Sequence, residues 1–141
     1  MVLYLFYLAF MTSCCGYALC YGGKPERIGA VIVILASFLT SDLAPHGLGW
    51  ADASLSLLII DGMTMLAITT LALSTNRYWP MWFAGFCLVG LMTHVAAAAM
   101  PEFAAKAYSL SQGFWAYPAI GSMALGTWFQ HRRKNIMPSD A

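Results

Sequence analysis

Asp61 and His94 are the two residues of this chain whose type and position could do chemistry. Asp61 lies eight residues into an apolar run at 54–73, and His94 lies six residues before the end of another at 80–100. If the two runs cross a membrane in opposite directions, both side chains stand about 9–11 Å from the same surface. An ionised carboxylate at that depth costs roughly 2.5–3.5 kcal/mol on insertion scales. Asp61 therefore faces the bundle interior, is protonated, or has a partner, and His94 is the partner its depth suggests. Thr64 shares a helical stripe with Asp61, and Ser111, Gln112 and Trp115 of a later run reach a similar level. The expected intramembrane polar cluster is thus Asp61, His94, Gln112, Ser111, Thr64 and Trp115.

Three chemistries fit such a cluster. The plainest is a satisfied polar core, in which hydrogen bonds worth about 0.6–2 kcal/mol each fix helix register and do no catalysis. A second is a proton, ion or small-solute site, since intramembrane Asp and His titrate and mark pathways. A third makes His94 an axial haem ligand or a metal ligand. A bis-histidine haem would need His46 to fold inward from a connection. The first is the leading expectation, with no cofactor, no metal and no catalytic residue, and haem through His94 is kept as an alternative.

Other reactive residue types do not combine. Cys14, Cys15, Cys20 and Cys87 all lie in apolar runs at spacings that match no zinc or redox motif, and they read as small packing residues. The nine methionines include no Met-x-x-Met pair, so they read as core filler rather than a copper site. The sequence contains no nucleophile–base arrangement, phosphate loop, metal-ligand pair or acidic dyad.

The elements that must position the cluster follow from composition. Of 141 residues, 60% are hydrophobic and 9% charged, and the mean hydropathy is +0.69. A soluble domain carries roughly 25% charged residues. So low a charge content excludes an ordinary cytosolic enzyme, a disordered tail and a nucleic-acid binder. A spanning helix needs about 20 apolar residues. Five stretches suffice, at about 2–21, 28–45, 54–73, 80–100 and 108–129, followed by a basic tail at 130–141. The runs are continuous rather than alternating, which excludes a closed barrel. The expected fold is therefore all-α: a compact bundle of five transmembrane helices forming one membrane domain over 1–141. The first run lacks a basic leader and a small-residue cleavage site, so it reads as a retained helix.

Gly22-Gly23-Lys24-Pro25, Pro45-His46-Gly47 and Ser74-Thr75-Asn76 punctuate the runs, and Pro101 closes the fourth. Five spans put Lys24, Arg27, Arg77, Arg132, Arg133 and Lys134 on one side and only Lys106 on the other. Basic residues near span ends mark the cytoplasm, so the N-terminus is expected outside and the C-terminus inside. Tyr21, Tyr78, Trp79, Trp82 and Trp128 would form the inner aromatic belt, and Tyr4, Trp50 and Tyr108 the outer one. The tail Arg132-Arg133-Lys134 reads as a topology signal. Pro118 predicts a kink inside the fifth span near Trp115. Small residues at helix-packing spacing are Ala9, Ser13 and Gly16 in the first span, Gly90 in the fourth, and Ser122 and Gly126 in the fifth.

Three segments carry a resemblance: Gly22-Gly23-Lys24-Pro25-Glu26-Arg27-Ile28-Gly29, Asn76-Arg77-Tyr78-Trp79-Pro80 and Phe114-Trp115-Ala116-Tyr117-Pro118. They resemble uncharacterised small multi-spanning inner-membrane proteins of alphaproteobacteria. The resemblance implies a bacterial inner-membrane location and brings no activity with it. The functional expectation is a non-catalytic accessory or structural subunit whose partners are the bilayer and other membrane subunits or copies of itself. The alternatives are a small transporter, channel or sensor using Asp61 and His94, and a haem- or quinone-associated anchor.

Overall fold

The computed structural model describes residues 2–43, 50–99 and 114–136, which form five helices. They are α1 (Val2–Tyr21), α2 (Lys24–Leu43), α3 (Trp50–Ser74), α4 (Trp79–Ala99) and α5 (Ala116–Ile136). Among the described residues the chain is all-helical, with no strand.

The first connection takes only two residues. Gly22 N–H donates to the Ala18 carbonyl at 3.0 Å and ends α1, while Gly23 C=O accepts the Arg27 N–H at 3.1 Å and opens α2. Glu26, in the first turn of α2, reaches back to accept the Gly23 N–H at 2.9 Å. That is the acidic half of a capping box. A Cβ on Gly22 would run into the Ala18 carbonyl and the Glu26 side chain, so the turn has room only for glycine. At the end of α3, Ser74 and Thr75 donate to the carbonyls of Thr70 and Leu71, each at 2.8 Å. Pro80 then sits in the first turn of α4, where its missing N–H costs nothing.

The helices pack in a closed ring in chain order, α1 on α2, α2 on α3, α3 on α4, α4 on α5 and α5 back on α1, with a further contact between α2 and α5. Tyr117 of α5 stacks edge-on against Tyr7 of α1 at 5.8 Å, and His131 lies 5.2 Å from Tyr21, so α1 and α5 run parallel. The core falls at helical spacing on each inward face: Met11, Cys15 and Ala18 on α1, Ile68 and Leu71 on α3, Ala119 and Met123 on α5. The outward faces are apolar too. On α3, Leu55, Ile59, Met63 and Leu66 are exposed, and on α4, Trp82, Met92 and Val95.

Two helices are long and apolar enough to cross a membrane, α3 over Leu55–Ser74 and α4 over Trp79–Ala96. Only 17% and 22% of their spanning windows are buried, unlike the core helix of a soluble protein. In α1, Leu5–Tyr21 is apolar but shorter, while α2 and α5 carry Lys24, Glu26 and Arg27, and Arg132 and Arg133, at one end. Hydroxyls in the helices turn inward on their own backbone. Thr12, Thr40, Thr69 and Thr127 each donate to the carbonyl four residues earlier at 2.7–2.9 Å. Such back-bonding satisfies a hydroxyl without a partner on another helix.

The helix ends depart from the sequence expectation. The helices at the basic end run past the apolar stretches: α2 starts at Lys24 rather than Ile28, and α5 continues to Ile136 through most of the expected tail. Pro118 occupies the first turn of α5, and the turn at Trp115 that precedes it falls where the proline predicts a kink. The beginning of the expected fifth span, 108–113, lies outside the described residues.

Candidate functional site

Asp61 stands near the middle of α3, and His94 on the facing side of α4. Their side chains meet, with His94 Nε2 3.0 Å from Asp61 Oδ2. The two partners differ in burial. The His94 side chain is 3% exposed and the Asp61 side chain 44% exposed. The pair therefore has a closed imidazole end and an open carboxylate end.

The remaining members of the expected cluster are placed less closely. Thr64 donates to the Ile60 carbonyl of its own helix at 2.8 Å. The Trp115 indole N–H is buried and has no hydrogen-bond partner among the described residues. Ser111 and Gln112 lie outside the described residues. The cysteines are free thiols, Cys15 buried and Cys20 exposed. Among the described residues no three His, Cys, Asp or Glu side chains converge as a metal site. A haem iron at Nε2 of His94 would have to displace Asp61.

The expected small-residue contacts redistribute. Ala9 and Ser13 are exposed, with Ser13 Oγ donating to the Ala9 carbonyl at 2.7 Å. A Cβ on Gly16 or Gly90 would meet nothing within 4 Å, so neither glycine marks a close approach. Ser122 donates to the Ala119 carbonyl at 2.7 Å. Gly126 does mark one, because a Cβ there would run into the Trp79 side chain.

That tryptophan belongs to a second polar cluster, at the end of the bundle where the α1–α2 and α3–α4 turns meet α5. Glu26 is completely buried. Its Oε2 accepts the Gly23 N–H at 2.9 Å, its Oε1 accepts the Trp79 indole N–H at 3.2 Å, and Arg77 Nε lies 3.7 Å from Oε1. The Trp79 ring is wedged between Gly29 of α2 and Gly126 of α5, where a Cβ on either would collide with it. The sequence places Glu26 among loop charges and Trp79 in an interfacial belt. The structure instead buries both, Trp79 at 4% exposure. The legible part was the spacing from Gly23 to Glu26, which suits a capping back-bond. Nothing local marks Trp79 as its second donor, 53 residues away.

No protein-family model matches the chain, and no match was found among curated proteins or solved structures.

Proposed function

We propose that the chain is a five-span, multi-pass protein of the bacterial inner membrane, N-terminus outside and C-terminus cytoplasmic, serving as a non-catalytic accessory subunit packed against a larger membrane complex. The observation that carries this reading is the open end of the Asp61–His94 pair. Asp61 lies at mid-helix on a segment apolar enough to span, yet nearly half its side chain is uncovered. Hydrocarbon is a poor environment for that carboxylate. A partner helix bringing a donor, or a second copy of this chain, would cover it. The partly exposed apolar residues one turn away on its side of α3, Leu58 and Met65, supply contact area for such a helix. The orientation is supported by Lys24, Arg27, Arg77, Arg132 and Arg133, which the packing gathers at one end.

Mild-detergent extraction and sizing tests the reading. A particle well above 15.4 kDa with a second membrane protein in fixed stoichiometry is the expected result. A lone monomer or a homo-oligomer would refute the accessory role.

A second reading uses the same pair. A buried imidazole hydrogen-bonded to an accessible carboxylate is arranged to pass a proton between a closed and an open side. It predicts that Asp61→Asn changes proton or solute flux in vesicles at unchanged protein level. Unchanged flux in that variant would dispose of it.

A further inference from the structure

A groove of about 620 Å³ opens between α4 and α5 at the basic end of the bundle. That volume is within the roughly 300–1,000 Å³ of small-molecule sites. Its polarity is graded. Arg77, Gln130 and Arg133 stand at the mouth, and Trp82, Phe86, Leu125 and Phe129 form the walls. Gly121 lines the bottom, and a Cβ there would meet nothing within 4 Å. From Pro118 to Arg133 the groove follows about 22 Å of helix rise on α5, enough for a chain rather than a headgroup alone.

The two arginines at the mouth differ from their neighbours. Arg77 is held by the buried Glu26 carboxylate, 3.7 Å from its Nε, so its guanidinium is fixed in place. Arg132 stacks over Trp128 at 5.3 Å, whereas Arg133 lines the groove. Two guanidinium groups above an apolar channel complement a molecule with one anionic head and a hydrocarbon tail. Arginine forks match phosphate oxygens, and basic pockets between helices on the cytoplasmic side suit anionic headgroups.

We propose that this groove holds an acyl chain of an anionic phospholipid, with Arg77 and Arg133 receiving its phosphate. The proposal rests on the reading of the chain as a membrane protein whose basic end lies at the cytoplasmic leaflet.

Native mass spectrometry of the detergent-purified full chain, titrated with phosphatidylglycerol or phosphatidylcholine, tests it. The wild type should bind phosphatidylglycerol preferentially. Arg133→Gln should cut that preference about fivefold, the worth of one basic side chain near an anionic surface. Gly121→Leu should block retention of both lipids, while Gly121→Ala, which leaves the channel open, should not. Equal binding of the two lipids by the wild type, or an unchanged preference in Arg133→Gln, would overturn the proposal. So would undiminished retention in a Gly121→Leu protein of wild-type helicity. Alkaline carbonate extraction separates this failure from that of the underlying reading. Release of the chain without detergent would refute membrane insertion, whereas retention with no headgroup preference would refute only the groove.

Discussion

The carboxylates of Asp61 and Glu26 are held in opposite ways, and their variants should behave differently. Glu26 is enclosed and takes two N–H donors plus the Arg77 charge. Glu26→Ala removes both hydrogen bonds and should cost about 2–4 kcal/mol, while Glu26→Gln should cost less because an amide oxygen still accepts. Reversible unfolding in mixed micelles measures both, and equal losses would contradict the capping role. Arg77→Gln should destabilise the wild type more than the Glu26→Gln background, because the contact it removes is with the carboxylate charge. Asp61 is half-open and, among the described residues, meets His94 at 3.0 Å, so Asp61→Ala should cost only about 1–2 kcal/mol in the isolated protein. Asp61 and His94 were legible as a pair because their depths follow from span ends and a 1.5 Å rise. Glu26 was not, because what buries it is a tryptophan from another helix.

At the scale of elements, the glycines separate packing from spacing. Gly29 and Gly126 abut the two sides of the Trp79 ring and bring α2 and α5 together at the start of α4. Alanine at either position must displace the indole, at a cost of about 1–3 kcal/mol. Gly16 and Gly90 have open space at the Cβ position, so alanine there should be neutral or stabilising by up to about 1 kcal/mol. Unfolding midpoints of the four alanine variants check this, and a loss at Gly16 matching that at Gly126 would contradict the packing described. The small-residue rule named Gly126, which lies against Trp79, together with Ala9 and Ser13, which are exposed, and Gly16, whose Cβ position is open. Spacing alone marks a smooth stripe without saying which neighbour uses it. Helix existence was legible from the apolar runs. Helix ends were not, because α2 begins within a charged segment that the Glu26 back-bond and the Trp79 contact stabilise.

For the whole molecule, the ring of five helices leaves an apolar exterior and one basic end. The proposed topology predicts that a C-terminal fusion to a reporter active only in the cytoplasm is active, and that a cysteine placed in 46–48 reacts with an impermeant thiol reagent from outside. Labelling of 46–48 only after permeabilisation would reverse the orientation. The open carboxylate at mid-helix, on the side of α3 away from Ile59 and Met63, is the molecule's distinguishing mark, since a bundle surrounded only by lipid gains nothing from it. A photo-crosslinking side chain at Met65, partly exposed one turn along α3 from Asp61 and on the same side, probes that surface in intact cells. One discrete crosslinked product, carrying a second membrane protein and weakened by Asp61→Ala, is expected. Crosslinking to lipid alone, or to a protein equally well with and without the Asp61 carboxylate, would contradict an accessory subunit docked through this site.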